Sequence, residues 1–254
     1  MVYRVEDMRS VEGIFGDWEE SLLWSCLEGV MGDVYVTDRE RPQAAMAVNG
    51  DFCFLAGRPE RELVLFKPDG HGDFIIMAPQ SEAWSELIED CYGERAQRTV
   101  RFAIKKEQGI FDMVKLQAAV DALPAEYTLR MLDGELYELC KAEEWSRDWV
   151  SLFGSYEMYE RLGLGVVILK DGEIVAGASS YSRYKAGIEI QIDTREDYRR
   201  KGLAYVSGAA LILECLKRGL YPSWDAQNRW SVGLAEKLGY HYDSDYIVYE
   251  IRGY

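Results

Sequence analysis

Apolar and polar positions change period several times along this chain, and each change marks an element. Trp18, Leu22, Leu23, Cys26, Leu27 and Val30 recur at helical spacing. Residues 33–37 alternate as a strand does. Residues 44–48 and 52–56 flank Asn49-Gly50-Asp51, and Asn-Gly between two apolar runs signals a hairpin. Residues 63–66 and 74–77 read as further strands. Ser81 stands where a residue would cap a helix running to about Cys91. A strand over 100–104 and a helix over 112–123, stopped at Pro124, complete this half.

The pattern then starts again. Residues 127–132 read as a strand, and 136–162 as mostly helical with a break at Phe153-Gly154. Residues 164–169 and 173–181 flank Lys170-Asp171-Gly172 in a second hairpin. A strand over 187–194 precedes a helix over 202–218 that ends at Gly219, a residue suited to the left-handed position after a helix. A short strand over 221–226, a helix over 231–238 stopped by Gly239, and strands over 241–251 finish the chain. Interleaved strands and helices predict an α/β protein of mixed α+β type. Residues 1–124 are expected to form an N-terminal α+β domain and 125–254 a second domain, with no Gly/Ser linker between them. Both hairpins end in Ala-Gly, at Ala56-Gly57 and Ala176-Gly177. A decayed duplication would explain this, and so would the coincidence of two common hairpins.

Composition narrows the function classes. The 254 residues suffice for one large or two modest domains. A net charge of −15 argues against phosphate-backbone or anionic-membrane partners, which need clustered cations. It is compatible with a cationic substrate such as an amine. Five dispersed cysteines without a C-x-x-C pair, and two histidines, make a zinc site improbable and suit reduced thiols in the cytoplasm. No apolar run approaches the roughly 20 residues of a membrane span. The N-terminus carries early acids and no apolar core of a signal peptide. The expectation is a cytoplasmic protein without a metal.

The chemistry concentrates at residues 188–204. Ile188, Ile190 and Ile192 point to one face of a strand, and Glu189, Gln191 and Asp193 to the other. A turn follows, then Arg199-Arg200-Lys201-Gly202-Leu203-Ala204 at the start of a long helix. A helix N-terminus offers unpaired N–H groups and a positive dipole end. Gly202 lets a large group approach the backbone. Three cations where the dipole is already positive are unfavourable unless an anion neutralises them, which describes a pyrophosphate cradle. A solvated basic turn is the plain alternative, and the triplet alone does not separate the two.

The segment resembles the cofactor motif of the GNAT superfamily, [Arg/Gln]-x-x-Gly-x-[Gly/Ala], matched by Arg199, Gly202 and Ala204. A strand and Tyr198 precede the motif and a helix of about four turns follows it. Asn228-x-x-Ser231-x-x-Leu234-Ala235-x-Lys237-Leu238-Gly239-Tyr240 is similar to that superfamily's later landmark. The resemblance covers roughly residues 124–254. Within it, Tyr221-Pro222-Ser223-Trp224-Asp225-Ala226 looks like a bacterial branch typified by the zwittermicin A self-resistance acetyltransferase, whose members carry an extra N-terminal region.

The resemblance implies a C-terminal GNAT fold, with a mostly antiparallel, splayed sheet flanked by helices. It implies acetyl-CoA as co-substrate and direct attack by a primary amine, in the first place that of a small molecule or an antibiotic. Ile192, Asp193 and Thr194 would pair with the pantetheine arm, Arg199, Arg200, Lys201, Gly202, Leu203 and Ala204 would hold the pyrophosphate, and Asn228 and Ser231 would lie beside the pantetheine. The acetyl group would sit where residues 221–226 splay from the preceding strand. Glu189 is the first candidate base and Asp193 the second. Trp224 and Asp225 are candidates for binding the acceptor. Trp145 and Trp149, spaced i,i+4, would lie over the acceptor cleft.

One departure stands out. Ala235 occupies the place where many members carry a Tyr that protonates the leaving thiolate. Tyr198 and Tyr240 occupy core-like positions, and His71 and His241 lie in turns. A catalytically weak or inactive GNAT-fold module that binds CoA or a protein is the alternative. The N-terminal half is open to three roles: completing the acceptor site, mediating a homodimer, or being a decayed second unit. It lacks the cofactor motif, so it is expected to bind no CoA.

Overall fold

The computed structural model describes residues 1–254. Strand β1 (Tyr3–Arg4) leads to helices α1 (Glu12–Phe15) and α2 (Ser21–Leu27) and strands β2 (Asp33–Val36), β3 (Ala44–Asn49) and β4 (Phe52–Gly57). Helix α3 (Arg61–Val64), strand β5 (Phe74–Pro79), helix α4 (Glu82–Tyr92) and strand β6 (Ala96–Ile104) follow. Then come helix α5 (Met113–Asp121), strand β7 (Tyr127–Met131), helices α6 (Gly134–Ala142) and α7 (Tyr156–Leu162), and strands β8 (Gly165–Lys170), β9 (Glu173–Tyr184) and β10 (Gly187–Thr194). Helix α8 (Leu203–Lys217), strands β11 (Tyr221–Ser223) and β12 (Asp225–Ala226), helix α9 (Arg229–Leu238) and strand β13 (Tyr242–Arg252) end the chain. It packs as two units, residues 1–101 with 245–254, and residues 102–244. No helix is long and apolar enough to cross a membrane.

In the first unit the strands run in the order β1-β2-β3-β4-β5-β13-β6. β13 enters this order by pairing antiparallel with β5, which explains why the end of the chain packs here. Met46, Leu55, Ile75, Met77, Trp84 and Tyr249 are buried in its core. In the second unit the order is β11-β10-β9-β8-β7, antiparallel except for β10 and β11. The β8–β9 turn is Asp171-Gly172 with φ of 51° and 87°, and two positive φ values suit the right-handed twist of a two-residue hairpin. Ile188 and Ile190 pack with Ala209, Leu211 and Ile212 of α8 in one buried cluster. This is the mixed α/β architecture, with a largely antiparallel sheet and flanking helices, that the sequence predicts.

Two successive stretches of the chain, residues 3–104 and 127–252, run through one order of elements: strand, two helices, three antiparallel strands, helix, parallel strand, helix, strand, with the short β12 added before the last helix of the second and its closing strand, β13, packed in the first unit. β2-β3-β4 therefore corresponds to β8-β9-β10. The β3–β4 hairpin matches β9–β10, not β8–β9, so the shared Ala-Gly endings fall on non-equivalent strands. The greatest difference lies after the meander, where α3 has 4 residues and α8 has 15.

Three expectations are corrected. Residues 63–66 are not a strand: Leu63 and Val64 bond back to Glu60 O as one buried helical turn, and a short apolar run does not carry enough period to tell these apart. Residues 136–162 are not one helix with one break. Two 3-10 turns, Arg147–Trp149 and Ser151–Phe153, separate α6 from α7. Ser81 holds the N-cap position of α4 but makes no side-chain cap bond.

Candidate active site

Strand β10 is paired on one side along its whole length by β9, and on the other only from Gly187 to Glu189, by Tyr221 to Ser223 of β11. Gly187 permits the contact, since a Cβ there would lie 2.1 Å from Tyr221 O. Past Glu189 the partner is lost. After Trp224 the chain continues as β12, which pairs with Phe102 and Ala103 of β6. The expected single strand over 221–226 is thus two, and β10 presents an open backbone edge from Ile190 to Thr194.

The turn beyond β10 sorts its cations. Arg195 is spent on Asp197, with contacts of 2.9 and 3.1 Å, and on Glu173 at 2.9 Å. The Arg195 guanidinium holds the Asp197 carboxyl below the usual carboxylate range. Lys201 lies over the Tyr198 ring, 4.2 Å from its centre. Arg199 reaches only Glu196, at 4.0 Å, and 64% of its side chain is exposed. Arg200 has a φ of 63°, rare for a residue with a Cβ. Gly202 is the N-cap of α8 with φ 82°, which is why a glycine stands there. A Cβ on it would meet nothing within 4 Å, so the space before it is open.

The first backbone bonds of α8 run from Tyr205 and Val206 to Gly202 O. The N–H groups of Lys201, Gly202, Leu203 and Ala204 have no partner in the chain. Beside them the Thr194 hydroxyl is buried without any hydrogen-bond partner. Thr194, Arg199, Arg200 and Gly202 line a cleft of about 390 Å³. Tyr205, Leu234 and Lys237 line it too. The sequence reading missed these three, because which face of α9 meets the start of α8 is a tertiary fact.

Glu189 is buried, and its Oε1 accepts a hydrogen bond of 2.7 Å from the Asp225 amide, at the point where β11 and β10 part. Asp193 lies on the same strand face, about 13 Å further on. Its Oδ2 accepts from Trp149 Nε1 at 3.0 Å and from Gln191 Nε2 at 2.8 Å. Burial pushes the Asp193 carboxyl up, and these two bonds oppose that. Trp149 presses on Gly177, the residue opposite Asp193 in the sheet, and Trp145 packs edge-on against it. The cleft therefore holds the turn residues, Glu189 marks the splay, and Asp193 is set apart with the tryptophans.

Several candidates are spent on the fold. Trp224 is buried, donates from Nε1 to Ser231 Oγ at 3.1 Å and packs edge-on against Tyr240. Asn228 Oδ1 accepts from the Ser231 amide at 3.0 Å and so caps α9. Ala235 is fully buried and brings no hydroxyl. Tyr240 donates to Pro222 O inside the core. His241 pairs with Glu107 at 2.6 Å, and the His71 ring lies between the carbonyls of Gly50 and Gly72. No group of three or more His, Cys, Asp or Glu side chains is placed to hold a metal ion.

Comparison with known proteins bears on this arrangement. The family model for GNAT acetyltransferases matches residues 12–249. The chain belongs to the GNAT acetyltransferase family. This acetyltransferase is 52% identical to a GCN5-related N-acetyltransferase-like protein from Streptococcus suis, whose crystal structure superposes with a TM-score of 0.92 over 97% of this chain and 99% of that one. It is 30% identical over 204 residues to the uncharacterized N-acetyltransferase YdfB of Bacillus subtilis, covering 79% of this chain and 73% of that protein. A tandem GNAT protein from the clavulanic acid biosynthesis pathway, 10% identical, shares the fold with a TM-score of 0.59 over 100% of this chain and 99% of that chain. The match to residues 12–249 takes in both units, whereas the motifs read from the sequence cover only the later half. As a member of this family the chain is an N-acetyltransferase.

Proposed function

We propose that this acetyltransferase uses acetyl-CoA to acetylate a primary amine of a small molecule, and that residues 125–254 carry the chemistry. The observation that bears most weight is the buried, unpartnered Thr194 hydroxyl beside four free amides and the exposed Arg199 and Arg200. Such a set fits a polyanion next to an amide-bearing chain. The co-substrate would supply an activated thioester. The amides of Lys201 to Ala204, with Arg199 and Arg200, would bind its diphosphate. The open β10 edge at Ile192, Asp193 and Thr194 would pair with the pantetheine arm. Glu189 takes a proton from the incoming ammonium, directly or through water. Asp225 and the half-buried Trp145 would face the acceptor, with the buried Trp149 supporting Trp145 from behind. Asn228 and Ser231 act through the start of α9, which they hold in place. The likeness of residues 221–226 to the zwittermicin A branch favours an aminated, antibiotic-like acceptor, and the dispersed free cysteines favour the cytoplasm.

The buried Ala235 favours a second reading, a GNAT module that binds CoA and turns over little. Calorimetric titration with acetyl-CoA, repeated with Gly202→Glu, tests the main one. The parent is expected to bind and the variant not to, since the new carboxylate enters the cradle. A folded parent that fails to bind would sink the proposal. Binding without acetylation of any amine in a broad panel would select the second reading.

A further inference from the structure

The unit of residues 1–101 and 245–254 has a cleft of its own, of about 480 Å³, within the range of small-molecule sites. It lies between the α1–α2 segment, which gives Phe15 and Trp18, and the entry to α4, which gives Gln80, Ser81 and Glu82, with Ile247 of β13 on a further wall. In the repeated order of elements these two segments correspond to the α6–α7 segment, carrying Trp145 and Trp149, and to the entry to α9, carrying Asp225 and Asn228. Each unit thus sets tryptophan near its helix pair and polar groups at the start of its last helix.

We infer that this cleft binds an amphipathic organic ammonium ion and does not acylate it. Its walls are built beforehand. Gln80 Nε2 donates to Ile14 O and Phe15 O at 3.1 and 3.2 Å, and its Oε1 accepts from the Gly57 amide at 2.9 Å. Trp18 is held edge-on against Phe54, with ring centres 5.5 Å apart. Glu82 is the one carboxylate in the lining; it stands at the first position of α4, whose dipole offsets part of its charge, and no Lys, Arg or His side chain stands there. The Ser81 hydroxyl makes no cap bond and remains available. An ammonium group satisfies both by charge-assisted hydrogen bonds, and its apolar or aromatic body lies on Trp18, Phe15 and Ile247. An anion meets the Glu82 charge, and a neutral ligand makes no charge-assisted bond to that carboxylate.

The cleft has no acyl donor beside it. Where the other unit has its basic turn and long helix, β4 runs through Arg58-Pro59-Glu60 into the single turn of α3, with Glu62 in its first turn. Arg61 in that turn is spent on Asp90, and a helix of one turn gathers little dipole, so no diphosphate cradle forms there.

The probe is tryptamine, with its neutral isostere indole-3-ethanol, titrated calorimetrically into the full chain. Saturable binding of tryptamine is expected near or below about 1 mM. Indole-3-ethanol should bind at least about tenfold more weakly, and Glu82→Gln should cost tryptamine a similar factor. Trp18→Ala should remove binding, and the exposed Glu82→Gln serves as the informative variant if Trp18→Ala does not fold. No binding by the parent, or tryptamine binding unchanged in Glu82→Gln, overturns the inference.

Discussion

Asp193 shows how one side chain records its surroundings. Burial raises its pKa above the ordinary 3.8, while the hydrogen bonds donated by Gln191 and Trp149 favour the ionised form and oppose that shift. The native state therefore binds the Asp193 proton more tightly than the unfolded chain does. The stability this confers is present in acid and is lost as pH rises from the unfolded value through the raised native one. Asp193→Asn removes that dependence, and the amide oxygen still accepts from Trp149. Urea unfolding should find the variant less sensitive than the parent between about pH 4 and pH 7, and no less stable at neutrality. A parent curve that instead gains stability across this range, relative to the variant, would contradict the assignment. The alternation of β10 put Asp193 and Glu189 on one face from sequence alone. That Trp149 would donate to Asp193, and the Asp225 amide to Glu189, was not legible, because those donors come from distant elements.

At the scale of elements, the hairpins, β10, α8 and α9 were legible, since period and turn glycines are local. The loss came where neighbours decide. Residues 221–226 read as one strand, yet their first part pairs with β10 and their last with β6, and that divergence opens the site. Residues 136–162 contain two short turns that place Trp149 over β9, and helical spacing of aromatics does not announce them. Gly177 makes that placement possible. A Cβ there would stand 2.6 Å from Trp149 Cη2 and 2.8 Å from Val166 O, and the backbone oxygen does not yield. Gly177→Ala should therefore cost about 1–3 kcal/mol in denaturant unfolding, the range for overpacking a core. An unchanged midpoint would mean that Trp149 is free to move aside, and with it the bond that orients Asp193.

Across the whole molecule, two successive stretches of the chain share one order of elements but not one chemistry. The sequence hinted at repetition through its hairpins, and the true correspondence lies one strand later, visible only once the parallel strands β5 and β11 are known to follow β4 and β10. Length separates the two equivalent helices. A 15-residue α8 gathers a dipole and four free amides behind Arg199 and Arg200, whereas the one-turn α3 has almost no dipole and carries an acid in its first turn. The net charge of −15 adds a field that repels a polyanion everywhere except at such a cradle. One acetyl-CoA per chain is therefore expected, and Gly202→Glu should abolish all binding. Calorimetric stoichiometry or equilibrium dialysis decides this. Two equivalents per chain, or a residual site in Gly202→Glu, would mean that the first unit holds the co-substrate by a surface other than the turn its repeat has lost.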